Sequence, residues 1–314
     1  MKRTFLLLIT FALAMGSCTK EYVNPVPDDN TGNTNGTGGT GGTGGSGGGG
    51  GGVPTIGDVP TTFSQKALVE EFTGEWCGYC PDGALSLRDV EADHPGKAIG
   101  ASIHDNDPFS MASGMNLETI FDVASLGWPS GMVNRVAQGG TPLMDRGQWG
   151  GAVGMQLANT AVCGLAMSSF ITGADTLHVE VHCGFNTTLS GDYRVTVYLE
   201  EDDVPAIAQH NYYNTPGNVS PDNTELNNIG DPIANWFHDD VVRKVLTADL
   251  GDVIPSSAMI SHGEFVTNYT TTITGYDKNK CKVVAFINLV GTDVSSHQVM
   301  NVQSAKVYEV KNWD

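Results

Sequence analysis

The most constraining feature of the chain is residues 68–81, LVEEFTGEWCGYCP. An apolar, strand-like run meets a turn at Gly74, and Cys77 and Cys80 follow with Gly78 and Tyr79 between them. Thiols at this spacing fall within one turn of a helix starting near Cys77, so they can close a disulfide or share a metal. At a helix N-terminus Cys77 meets unpaired backbone N–H groups and the positive end of the dipole, which favour its thiolate. Cys80 is expected deeper, as the resolving partner. Pro81 suits the first helical turn, where a missing N–H costs little.

Glu71, Phe72, Glu75, Trp76, Cys77, Gly78 and Cys80 resemble the strand-to-active-site segment of the thioredoxin superfamily, in which an acidic residue stands six positions before the first cysteine. The resemblance implies that Glu71, here in place of the usual Asp, is a buried carboxyl that exchanges a proton with the resolving thiol, work that needs a raised pKa. It also implies a cis-proline facing the cysteines, and Pro129 in LGWPSGMVNR, 52 residues after Cys77, is the candidate. The Gly-Tyr dipeptide is similar to that of bacterial periplasmic disulfide isomerases. Trp128 and Ser130 depart from the commoner residues beside this proline.

The N-terminus carries Lys2 and Arg3, an apolar run at 5–15 and the ending MGSC. This is a signal peptide (1–17) with a lipobox: the run is about 11 residues, well short of the roughly 20 that a spanning helix needs. Processing would leave Cys18 as the lipidated N-terminus, outside the cytoplasm where disulfides persist. Residues 18–59, with Gly-Gly-Thr repeats and an unbroken Gly run at 47–52, cannot bury a core and read as a tether with a reach near 35 Å. No strand and no GK[ST] ending frame these glycines, so they are no phosphate loop.

Residues 60–160 read as strand 67–73, helix 81–92, strand 97–104, helical pieces 111–125, a strand from Gly131 and a closing helix at 145–159. This order suits a thioredoxin-like α/β domain. From 161 to 314 alternating apolar runs at 163–171, 176–183, 193–200, 264–274, 282–290 and 299–310 indicate an immunoglobulin-like β-sandwich. The polar connection 201–240 is long enough to be functional or disordered, and Trp236, Phe237 and His238 are expected to anchor it. Together, the lipobox and tether, the EFTGEWCGYCP segment and the β-rich half with HDDVVRKVLT resemble the Omp-28-like family of Bacteroidetes outer-membrane lipoproteins. That resemblance implies the outer membrane as location, a lipid as anchor and little established biochemistry.

Removing two of the 16 Lys and Arg with the signal peptide leaves 14 against 35 Asp and Glu, a charge near −21. Such a surface repels nucleic acid and anionic headgroups, so membrane attachment falls to the lipid. Cys163, Cys183 and Cys281 are odd in number; one disulfide and one free thiol is the simplest arrangement, with the pairing open. No metal or other cofactor is expected. One CxxC without a second cysteine pair lacks zinc-site spacing, His104 with Asp105 and Asp107 accompanies thiols one residue too close for the usual copper carriers, and the Asp and Glu clusters lack calcium-loop spacing. Two functions stay open. One is thiol-disulfide exchange with extracytoplasmic protein thiols or disulfides and an unidentified redox partner, using Cys77, Cys80, Glu71 and Pro129. The other is a non-catalytic surface binding or adhesion lipoprotein that uses the fold as scaffold.

Overall fold

The computed structural model describes residues 55–314. The signal peptide, Cys18 and most of the tether lie outside the described residues. The elements in chain order are β1 (Ala67–Thr73), α1 (Cys80–Asp93), β2 (Ala98–His104), α2 (Ala112–Phe121), β3 (Ser130–Val133), β4 (Leu143–Met144) and α3 (Trp149–Leu157). Strands then dominate: β5 (Cys163–Thr172), β6 (Thr176–Phe185), β7 (Tyr193–Glu201), β8 (Val204–Pro205), β9 (Phe237–His238), β10 (Val241–Val245) and β11 (Asp252–Val253). Four more close the chain: β12 (Glu264–Thr272), β13 (Cys281–Leu289), β14 (Val299–Lys306) and β15 (Val310–Lys311). A mixed α/β portion is thus followed by a large β-rich region, with no closed barrel among the described residues.

The principal sheet runs β14-β13-β7-β10-β2-β1-β3-β4, with β11 on β7, and a second sheet runs β12-β6-β5-β15. The boundary expected at residue 160 falls between α3 and β5, but hydrogen bonding does not stop there. β10 pairs parallel with β2 and antiparallel with β7, so the HDDVVRKVLT stretch supplies the strand that joins the two regions. Gly52–Asp314 is one compact unit.

Period-two alternation explains how one sheet serves several cores. On β7, Val195, Val197 and Leu199 face the second sheet, together with Val283, Ala285 and Ile287 of β13 and Leu165, Val179 and Val181 opposite. The intervening Tyr198, Val284 and Phe286 face the other way, into a core with Leu68 and Phe72 of β1, Ile103 of β2 and Leu117 of α2. The opposite face of β1 and β2, with Ala67, Val69 and Ala98, is covered by Leu87 and Val90 of α1 and Trp149 and Val153 of α3. Because β1 is buried on both faces, its two glutamates are buried as well. Glu70 goes to the Phe72 side and Glu71 to the α1 side.

Glu70 accepts two 2.7 Å hydrogen bonds from Arg135 and one of 2.9 Å from Tyr198 Oη. The guanidinium lies between the Phe121 and Phe286 rings, 5.2 and 5.1 Å from their centroids.

The arrangement expected for the second set of cysteines is not observed. Cys163, Cys183 and Cys281 are all free thiols buried in the core between the two sheets. Cys163 stands opposite Phe185 and Cys183 opposite Leu165, so the two are diagonal neighbours on β5 and β6 rather than a facing pair. Burial pushes the Cys163 and Cys281 thiols up to about 12. All three are therefore expected to resist iodoacetamide in the native protein and to react fully in denaturant, which mass spectrometry of the alkylated protein checks.

Candidate active site around the Cys77–Cys80 disulfide

Parallel pairing of β1 with β2 and antiparallel pairing with β3 brings the C-terminal end of β1 beside the N-terminal end of β3, with Glu71 opposite Gly131 and Phe72 opposite Ser130. The chain leaves β1 into the cysteine segment and enters β3 from Pro129, so one sheet end collects both. Cys77 and Cys80 form a disulfide, and the Trp128–Pro129 bond is cis. Helix α1 begins at Cys80 rather than near Cys77, with Pro81 at the start of its first turn. Cys77 lies in the preceding turn, where its N–H bonds the Gly74 carbonyl at 3.0 Å and its carbonyl accepts from Cys80 N at 3.1 Å. That tight turn takes up the residues that a helix beginning at Cys77 would have claimed. Cys80 is the deeper sulfur, 1% exposed against 5% for Cys77.

Glu71 lies beneath the first turn of α1. A Cβ on Gly83, one turn beyond Cys80, would overlap the Glu71 carboxylate and stand 2.8 Å from Pro129 Cβ. Glycine there lets helix, carboxyl and cis-proline approach one another. Glu71 is wholly buried, with Ser102 Oγ 3.4 Å from Oε2 and no partner for Oε1. Burial, with help from the nearby Asp240 carboxylate, pushes its pKa up to about 8 against the smaller opposing effects of Ser102 and Arg146. Glu71 and Pro129 thus meet at the first turn of α1, the helix that Cys80 opens and the disulfide ties to Cys77, and a carboxyl that keeps its proton at neutral pH can act as an acid there. Trp76 and Trp128 pack edge to face beside this group, ring centroids 5.5 Å apart.

Sequence reasoning missed what covers the site. Residues 206–236, between the paired β8 and β9, form a strap of 3-10 turns across the cysteine loop. Its Ile207 N–H donates to Glu75 Oε1 at 2.6 Å, and His210 and Tyr212 N–H donate to the carbonyls of Glu75 and Gly78 at 2.8 Å each. Gln209 Nε2 reaches the Cys77 carbonyl at 3.2 Å. The Tyr212 ring lies against Gly78 so closely that any Cβ there would overlap it. At the far end Asp82, in the first turn of α1, accepts from Ser220 Oγ and Asn223 Nδ2 at 2.7 Å and Tyr213 Oη at 3.1 Å, and pairs with Arg146. Burial works to raise the Asp82 pKa, but Ser220, Asn223 and Arg146 outweigh it and hold the carboxyl below its ordinary value. The signal for the strap is its length and its Asn, Asp and Pro content; nothing in the sequence says where it lands.

His104 is buried with Nδ1 2.6 Å from Asp107 Oδ2, and its ring stands perpendicular to that of His238 at 4.7 Å. Burial and His104 together lower the His238 pKa to about 3, keeping the ring neutral. Among the described residues no group of three or more His, Cys, Asp and Glu side chains is arranged to hold a metal ion. His238 anchors the end of the polar connection, while Phe237 points to solvent.

Fold and site together define a mixed α/β and β-rich protein with a buried CxxC disulfide at the end of its principal sheet. Residues 115–311 match the family described as outer membrane protein Omp28. The chain belongs to the Omp28 family and is an outer-membrane protein. The matched stretch takes in Pro129 and the β-rich region but begins downstream of Cys77 and Cys80. Among solved structures, the chain is similar to HBP35 of Porphyromonas gingivalis, with TM-score 0.60 and 18% identity over 80% of this chain and 78% of that one. A domain of the outer membrane lipoprotein Omp28 from Porphyromonas gingivalis matches with TM-score 0.29 and 16% identity, over 49% of this chain and 92% of that one. No curated protein matches the sequence. No helix among the described residues is long and apolar enough to cross a membrane.

Proposed function

We propose that the protein is a thiol-disulfide exchange protein held at the outer membrane by a lipid on Cys18. In this reading the α/β portion is a thioredoxin-like domain, fused through β10 to an immunoglobulin-like sandwich. The observation that carries it is the convergence of the Cys77–Cys80 disulfide, cis-Pro129 and a buried Glu71 whose pKa is pushed up to about 8. A thiolate of a substrate dithiol attacks Cys77 Sγ, the Cys77–Cys80 bond breaks, and Cys80 leaves as a thiolate that takes the Glu71 proton. The second substrate thiolate then attacks the substrate sulfur of the mixed disulfide and expels Cys77. The substrate loses two electrons and becomes a disulfide, the protein gains them as two thiols, and the substrate's protons replace the one Glu71 gave and protonate Cys77. Run backwards, the same steps reduce a substrate disulfide.

Equilibration of the Gly52–Asp314 unit in glutathione buffers, read by thiol alkylation with Cys77→Ser as control, tests this. The expected potential lies between about −120 and −270 mV, with a Cys77 thiolate pKa below about 7. A disulfide that glutathione does not open, below about −300 mV, overturns the reading. The second reading, a non-catalytic binding protein with the disulfide as a static brace, is favoured by one observation: both sulfurs are buried beneath the strap.

A further inference from the structure

We infer that the 206–236 strap is a gate on the cysteine pair, closed in this structure, and that its opening limits how fast a protein thiol reaches Cys77. The inference rests on the redox reading and supplies its regulation.

Two features distinguish a gate from a permanent wall. The first is what the strap covers. Its backbone and side chains engage Glu75, Cys77 and Gly78 in succession, and Tyr212 and Tyr213 pack edge to face on Tyr79 with centroids 5.1 and 5.6 Å away. A polypeptide cannot reach a 5% exposed Cys77 while that segment is in place.

The second is how the strap is held. Its apolar contact with the body is a small cluster of Tyr213 and Leu226 against Leu85, joined by half-buried Ile233 and Trp236. Ile207, Val219 and Ile229 face solvent instead, Ile207 at 74% exposure. The rest of the attachment is the edge-to-face packing on Tyr79, hydrogen bonds to the carboxylates of Glu75 and Asp82 and to the carbonyls of Glu75, Cys77 and Gly78, and an exposed ion pair of Arg88 with Glu225. Segments with few buried apolar contacts open locally at a fraction of the global free energy. The principal sheet does not pass through the strap, so it can lift while β1, α1 and β3 keep the disulfide, Glu71 and Pro129 in place.

The test is kinetic and uses the full chain. Two variants loosen the strap from its own side: Tyr212→Ala removes the ring over Gly78, and Ser220→Ala with Asn223→Ala releases the Asp82 clip. Tyr212 is 45% exposed, so its variant keeps the fold even if the clip variant does not. Reduction is followed with dithiothreitol and with a reduced bacterial thioredoxin. Each is a dithiol that becomes a disulfide as Cys77 and Cys80 become thiols. A gate predicts a rise of tenfold or more with thioredoxin, a smaller rise with dithiothreitol, and the reverse oxidation faster by the same factor. A rise below tenfold with thioredoxin overturns the inference. So does acceleration in one direction only, which would mean that the strap sets the equilibrium and not the access. The glutathione equilibrium of the unaltered chain tests the redox reading separately. A brace with a very low potential can still prove to be gated, and an exchange site can prove to be open.

Discussion

Glu71→Gln is expected to slow reduction of the Cys77–Cys80 disulfide by about 10²-fold or more while making the folded protein more stable at neutral pH. Both effects come from one burial. The wild-type carboxyl, at about 8 instead of 4.5, carries its proton at pH 7; general acids placed at a leaving group contribute about 10² to 10⁴ in rate. Glutamine fills the same space and has no proton to give. The stability effect has the sign set by linkage: a group whose folded pKa is raised contributes fully below the unfolded value and loses that contribution as pH climbs through the folded one. Wild type and variant should therefore be close in stability below about pH 4.5. The wild type should then fall behind up to about pH 8, by a final margin on the order of 5 kcal/mol. Urea titrations across this range and stopped-flow reduction at each pH are the measurements. The wild-type rate per reductant thiolate should fall as pH passes about 8, and the variant should show no such inflection. A variant of unchanged rate would remove Glu71 from the proton path, and one of unchanged pH-stability profile would mean that Glu71 is ionised in the fold.

The parts of this site legible in the sequence are those set by short-range pattern. The strand at 67–73 is readable because Ala67, Leu68, Val69 and Phe72 are apolar on both faces of a fully buried strand, and its observed bounds are Ala67–Thr73. β5, β6, β7 and β13 are visible through alternation, and each lies within two residues of its expected end. What escaped was long-range placement. Nothing local tells that Val241 pairs with Ser102, so the chain reads as two consecutive domains although one sheet runs through both. Nor does an Asn-rich connection announce that Ser220 and Asn223 bind a carboxylate 138 and 141 residues earlier. The free thiols escape the sequence pattern for a related reason. Three cysteines in an export compartment suggest a pair, but Cys163 and Cys183 occupy diagonal register positions that only the strand pairing reveals. Family membership speaks least to the site, since the matched stretch starts at residue 115, beyond both cysteines of the disulfide.

Arg135→Met is expected to cost about 3–5 kcal/mol, the range for removing one partner of a buried ion pair. Arg135 is fully buried, and its removal leaves Glu70 in the core of the principal sheet with only Tyr198 Oη as a donor among the side chains it now contacts. Conversely, Glu70→Gln leaves the guanidinium between two phenyl rings without its counter-charge. The four groups that surround it come from separate places in the chain: Glu70 on β1, Phe121 on α2, Tyr198 on β7 and Phe286 on β13. Loss of the pair is therefore felt on both sides of residue 160, and unfolding of the variants should remain a single transition by fluorescence and by circular dichroism. The double replacement Glu70→Gln with Arg135→Met should cost clearly less than the two single losses added together, because neither charge is then stranded. Strict additivity, or two separate transitions in the single variants, would show that the buried pair does not join the two regions. The disulfide at the end of β1 would then stand on an α/β portion that unfolds by itself.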